Sequence, residues 1–272
     1  MPLEKCRISA DFLEHPHRPL FHVLVEPCSD TVRGSILFLP PFADEMHISR
    51  HIVASSARSL AEAGYAVLIP DYSGCGDGHG SFADASWSIW KEDAQLALEA
   101  LREKYDSPVS LWGLRSGAMM AAQLASEQDA IARLFLWQPV LNGEQQIDQF
   151  LRLEAAATAL QSGDSFDRGA LWGALRAGQM LEIAGYELPS KLALEMAQIR
   201  LGALRPRCAV DWIEISPTNS VSPGASRTIS GWQEQGVSVS VNAVQGEPFW
   251  RMIDPQVNPA LESLTLAAFA AS

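Results

Sequence analysis

Four short apolar runs, each closed by turn residues, leave this chain very few architectures to choose from. They are Gly34–Leu39 running into Pro40-Pro41, Ala66–Pro70, Val109–Trp112 and Leu134–Val140. An unbroken apolar run of that length has no solvated face, which is the condition of a strand inside a parallel sheet. Helical stretches separate them: about His47–Ala63, stopping at Gly64 in a left-handed C′ place, then Ala85–Tyr105, then an Ala- and Met-rich segment after Val109–Trp112. Repeated strand–helix–strand units imply a parallel sheet covered by helices on both faces.

Around this nucleus the reading is as follows. Cys6–Leu13 and Leu20–Glu26 form an entry hairpin, with His15-Pro16 and Arg18-Pro19 at its turn. From Asn142 to about Arg205 the pattern is helical without a strand, with apolar positions at Phe150, Leu151, Leu153, Leu171, Trp172 and Leu175. Sheet logic resumes with a strand at Val210–Ile215. A helix at Pro223–Gln235 follows, with Ser222 as N-cap and Pro223 at its first position. A strand at Val237–Val244 and a helix at Asn258–Ala270 close the chain. The expectation is one domain over 1–272, with 142–205 inserted as a helical cap.

Composition narrows the function. Thirty-two acidic against 20 basic side chains give a net charge of −12, so neither phosphate backbones nor anionic lipid attract the chain. No apolar run reaches the ~18 residues of a membrane span. The opening Met-Pro-Leu-Glu-Lys-Cys lacks the apolar centre of an export signal, and a cytoplasmic protein is expected. Cys6, Cys28, Cys75 and Cys208 are scattered with no CxxC, which argues against a disulfide framework. No metal and no cofactor are expected, and the implied partner is a small molecule.

The segment Leu111-Trp112-Gly113-Leu114-Arg115-Ser116-Gly117-Ala118 resembles the nucleophile elbow of the α/β-hydrolases, Gly-x-Ser-x-Gly at a strand-to-helix turn. The order of elements is similar to that fold, a mostly parallel doubly wound sheet with a cap after the strand that follows the elbow. More narrowly, four segments resemble the exosortase A system-associated hydrolases of the second type: Pro40–Met46 (Pro-Pro-Phe-Ala-Asp-Glu-Met), Gly74-Cys75-Gly76-Asp77, the Trp112–Arg115 elbow and Gly246-Glu247-Pro248-Phe249-Trp250. The resemblance covers roughly residues 5 to 270. It implies an esterase- or thioesterase-class cleft, with Pro41, Phe42 and Ala43 in the loop that completes an oxyanion hole, and Glu247 and Phe249 in the loop that carries the histidine.

The residues at those positions depart from the pattern. Gly113 and Gly117 flank Arg115, and an always-protonated guanidinium is no nucleophile. Chain order in this fold is nucleophile, acid, histidine, yet His15, His17, His22, His47, His51 and His79 all precede the elbow. The loop after Val210–Ile215 reads Ser216-Pro217-Thr218-Asn219-Ser220, with no carboxylate. The ordinary triad is not spelled out.

Two partners are open for Arg115: an internal carboxylate from Asp44, Glu45 or Glu247, or the carboxylate or phosphate of a ligand held at the positive end of the following helix. Ser116 is open as a nucleophile in a shifted frame, or as a backbone donor at that helix start. Cys75, with His79 four residues on, is open as a thiolate nucleophile or as a small buried residue in a tight turn. Gly74, Gly76, Gly78 and Gly80 match neither Gly-x-Gly-x-x-Gly nor a P-loop. His47 and His51 share an i, i+4 spacing without the HExxH form. Phe150, Leu171, Trp172 and Met180 are open as core or as walls of an acyl pocket.

Overall fold

The computed structural model describes residues 5–29, 31–162, 167–254 and 257–270, with 153–162 described by backbone only. The opening residues 1–4 and the side chain of Leu153 thus lie outside the described residues. The chain begins with strands β1 (Cys6–Leu13), β2 (Leu20–Pro27) and β3 (Gly34–Leu39), helix α1 (Asp44–Glu62) and strand β4 (Tyr65–Pro70). Helix α2 (Trp87–Lys104), strand β5 (Val109–Leu114), helix α3 (Ser116–Glu127) and strand β6 (Ile131–Trp137) complete the central units. Then come α4 (Gly143–Ser162), α5 (Arg168–Arg176), β7 (Leu181–Ile183), β8 (Tyr186–Leu188) and α6 (Ser190–Ala197). Strand β9 (Ala209–Ser216), α7 (Pro223–Glu234), β10 (Val239–Gln245) and α8 (Pro259–Ala270) end it.

Eight strands form one sheet in the order β1-β2-β4-β3-β5-β6-β9-β10. The β1–β2 and β2–β4 pairs are antiparallel, and every later pair is parallel. This is the fold class that the apolar runs anticipate. Successive side chains of a strand point to opposite faces, so β3 sends Leu37 and Leu39 into one core and Ile36 and Phe38 into the other. Helices α2, α3 and α7 cover the first face, and α1 and α8 the second. On the second face Phe38, Trp112 and Trp137 stack edge to face at 4.6 Å, and Phe269 of α8 lies on Phe135 at 3.9 Å. Among the described residues no helix is long and apolar enough to cross a membrane.

Three local readings are corrected. Helix α1 starts at Asp44 instead of His47, because Ala43 takes a left-handed φ of 54° and breaks the chain into the helix early. Its first turn then holds Asp44 and Glu45, where the helix dipole favours acids. The fourth apolar run ends at Trp137, because Gln138 turns to φ 42° and ties β6 to β9. Its N–H donates to Ile213 O (2.8 Å), and its side-chain Oε1 accepts from Ile215 N (2.6 Å). The stretch read as wholly helical contains the hairpin β7–β8, turned at Ala184 (φ 50°) and Gly185 (φ 84°). Two consecutive positive φ values are what a two-residue hairpin turn requires. The hairpin is anchored by Ile183 and Leu188, both buried.

Candidate active site

At the end of β5 the chain passes through Arg115 at φ 56°, ψ −118° and enters α3 at Ser116. The turn is possible only because both flanking positions are glycine. A Cβ on Gly117 would lie 1.9 Å from Leu39 O, and one on Gly113 would lie 2.5 Å from Ala118 Cα. The strand-to-helix apex of the sequence reading is therefore formed, with a guanidinium on it.

That guanidinium is folded under the cleft, 9% exposed. Its Nε donates to Glu45 Oε1 and Oε2 (3.2 and 3.3 Å), its Nη2 to Gln146 Oε1 (3.1 Å), and its Nη1 reaches Gln138 O at 3.5 Å. The Trp250 ring lies beneath the guanidinium carbon at 5.1 Å. Glu45 is held further by Gln146 Nε2 (3.3 Å) and faces Arg251 Nε at 3.7 Å. Of the three carboxylates open as partners, Glu45 is the one engaged. Asp44 accepts from Tyr186 Oη (3.0 Å), where burial and then Asp44 push the phenol well above its ordinary range. Glu247 is exposed and makes no ion pair among the described residues.

The remaining candidates divide. Phe42 is buried and meets Phe150 edge to face at 5.2 Å, and Ala43 is the N-cap of α1. Pro41 is buried. Phe249 packs into the core against Trp137 (6.2 Å), so the neighbouring Trp250 is the residue that reaches the cleft. Ser116 is buried at the first position of α3. Leu171 is half-buried and Trp172 buried, whereas Met180 is exposed. His47, His51 and His79 are exposed, and no hydrogen bond joins an imidazole to Ser116 or Cys75 among the described residues. Where an acid would follow β9, Thr218 Oγ1 meets Ser220 Oγ (2.8 Å) and Ser220 N donates to Ser216 Oγ (3.1 Å), closing a turn of hydroxyls. Glu214, within β9, is buried and accepts from Trp212 Nε1 (3.1 Å) and Gln138 Nε2 (3.3 Å).

Cys75 is buried in the glycine-rich loop after β4. Burial first, and Asp71 and Asp93 next, push its thiol far above the ordinary range. The loop is pinned by Asp71, which accepts from Arg50 Nη2 (2.8 and 2.7 Å) and from Asp77 N (2.9 Å). At neutral pH the sulfur is a thiol and not a nucleophilic thiolate. We therefore expect iodoacetamide to label Cys75 at least about a hundredfold more slowly in native protein than in urea-unfolded protein, as read by peptide mass spectrometry. Equal rates would restore the reactive reading.

Two cavities meet at this end of the sheet. One, of about 430 Å³, is walled by Phe42, Ala43, Ile48, Phe150 and Trp250, with Glu45, Arg152 and Arg251 at its margin. The other, of about 170 Å³, is lined by Arg115, Gln138, Asn142, Gln145, Glu214 and Ser222. Gln146 and Gln149 of α4 form the partition between them. Sequence reasoning did not find Gln146, Arg152, Trp250 or Arg251. Trp250 had the nearest signal, one residue beyond Phe249 in a segment already singled out.

The family profile of the serine aminopeptidases, S33, matches residues 31–164, the stretch from β3 through the elbow into α4. The chain has the α/β-hydrolase fold. Est1E from Butyrivibrio proteoclasticus, solved with ferulic acid bound, superposes with a TM-score of 0.66 at 16% identity, over 96% of this chain and 100% of that one. A thermostable carboxyl esterase from Bacillus coagulans, in complex with glycerol, gives 0.68 at 13% identity, over 97% and 98%. Mouse α/β-hydrolase domain-containing protein 10 gives 0.60 at 16%, over 97% of each chain. No curated protein sequence matches. At these identities the α/β-hydrolase likeness is one of fold.

Proposed function

We propose that this α/β-hydrolase has lost the Ser-His-Asp triad and uses its cleft to hold a small or acyl-bearing anionic ligand above Arg115. In this reading the chain is one domain, and 142–205 is its cap. The four sequence segments support kinship with the exosortase-associated hydrolases of the second type, and the reading sets the protein in the cytoplasm. The observation that carries the reading is a guanidinium on the elbow, with no imidazole downstream of it in the chain. Charge supports it as well. Arg152 and Arg251 stand with Asp44 and Glu45 at the larger cavity, and Arg115 with Glu214 at the smaller one, so cations match acids there in a protein whose net charge is −12. Arg152 and Arg251 lie beside the aromatic walls Phe42, Phe150 and Trp250, so a carboxylate carried on an apolar body fits the larger cavity. The ferulic acid bound by Est1E is a molecule of that class. Because Arg115 is already paired with Glu45, Arg251 and Arg152 are the groups positioned to take the ligand charge first, with Arg115 following if the carboxylate displaces Glu45.

Calorimetric titration with decanoate and ferulate tests the reading. We expect saturable binding of both, binding of neutral decanol weaker by about tenfold, and a loss of about tenfold in Arg251→Ala. Absence of binding, or equal affinity for acid and alcohol, overturns the anionic site. Equal affinity in Arg115→Ala removes Arg115 from it. p-Nitrophenyl esters and acyl thioesters are expected to show no turnover. Turnover abolished by Ser116→Ala or Cys75→Ala would establish the second reading, an active esterase or thioesterase with a non-standard nucleophile.

A further inference from the structure

Strand β1 forms one edge of the sheet, and the backbone register fixes what it offers to solvent. Asp71 N donates to Phe21 O (2.9 Å), so odd-numbered residues of β2 bond toward β4 and even-numbered ones toward β1. With Leu24 opposite Ser9, the N–H and C=O groups of Arg7, Ser9 and Asp11 are directed at β2. Those of Ile8, Ala10 and Phe12 therefore point away from the sheet, consistent with Phe12 N bonding to Asp11 Oδ1 (2.8 Å).

Edge strands of monomers are usually shortened, bulged, or interrupted by Pro or Lys. β1 has none of these: it pairs with β2 over eight consecutive residues, and Cys6–Leu13 contains neither Pro nor Lys. It also leaves Ile8 (52%) and Phe12 (51%) exposed on one face. Its charges are placed symmetrically, with Arg7 two residues before Ser9 and Asp11 two residues after, on the face opposite Ile8 and Phe12.

We propose that β1 is the contact strand of a two-fold homodimer, pairing antiparallel with β1 of a second copy about Ser9. In this register Ile8 exchanges backbone hydrogen bonds with the partner's Ala10, as the outward-facing groups require. Arg7 then stands directly opposite the partner's Asp11, and by symmetry Asp11 opposite the partner's Arg7. Ile8 becomes the diagonal neighbour of the partner's Phe12, within reach of an aromatic side chain. Sliding the axis to Ala10 keeps the bonding pattern but sets Arg7 against the partner's Leu13, so the charges select the register about Ser9. At about 0.15 M salt the Debye length is about 8 Å, so the overall −12 of each copy is largely screened while the facing pairs are not.

Sedimentation equilibrium tests this directly. Wild type is expected to be dimeric at micromolar concentration. Arg7→Asp and Asp11→Arg each oppose like charges at both symmetric positions and should raise the dissociation constant about tenfold or more. An equimolar mixture of the two single variants should form a heterodimer, since every facing pair is then complementary, and the double variant should recover the homodimer. Ala10→Pro removes an outward N–H without touching the β2 ladder, and should leave a folded monomer. A wild type that stays monomeric up to about 1 mM overturns the proposal. So does a dimer whose affinity the single reversals leave unchanged, or a mixture that fails to associate.

Discussion

Replacing Arg115 by alanine is expected to cost about 3 kcal/mol of stability in urea unfolding, far more than a surface arginine would. The physical reason is Glu45, left in the site without its main cation. The two side chains are 10% and 13% exposed, so water does not replace the lost partner freely. Gln146 and the more distant Arg251 remain, which holds the loss near the lower end of that expected for a broken buried pair. Removing Glu45 as well should recover much of the loss, and the double-mutant cycle Arg115→Ala with Glu45→Ala should give a coupling of about 2 kcal/mol. A loss below about 0.5 kcal/mol for Arg115→Ala would mean that the pair contributes nothing to the fold and that Glu45 is well solvated without it.

A larger effect is expected at Gly117, where alanine should cost about 4 kcal/mol or more and leave much of the protein insoluble. Its Cβ would lie 1.9 Å from Leu39 O and 2.6 Å from Pro40 O. Both are backbone atoms, one on the last residue of β3 and one on the first residue after it, so no side chain can swing aside. Gly173 provides the control: nothing lies within 4 Å of a Cβ there, and alanine in that helix should be neutral or slightly stabilising. Thermal unfolding of soluble Gly117→Ala near the wild-type midpoint would show that this backbone can withdraw, and that the close approach of α3 is not required.

Much of the fold was legible because burial writes itself into sequence as unbroken apolar runs. Gly34–Leu39 is a strand at the stated bounds, and the other parallel strands differ at their ends. The misplaced start of α1 has a local cause: no composition signal announces that Ala43 adopts a left-handed φ. The β7–β8 hairpin escaped because its strands are three residues long and its turn is Ala-Gly in place of Asn-Gly or Asp-Gly. Within the site, Glu45 was among the three acids open to Arg115, since it follows the strand adjacent to β5. Gln146 was not legible as a partner. It lies thirty-one residues downstream on α4, and only the return of that helix over the sheet edge brings its amide to the guanidinium. Arg251 is likewise delivered by a short helical turn, Phe249–Arg251, whose direction no residue pattern specifies.

The opening turn of α1 has a consequence of its own. Its two neighbouring acids face different clients: Asp44 accepts the hydroxyl of Tyr186 on the β7–β8 hairpin, while Glu45 grips the elbow and the amide of Gln146. Rim, floor and partition of the chamber are thus pegged to one turn of helix. Its bore is set by the bulk of Ile48, Phe42 and Phe150, so trimming those side chains is the direct way to re-gauge it for a fatter guest.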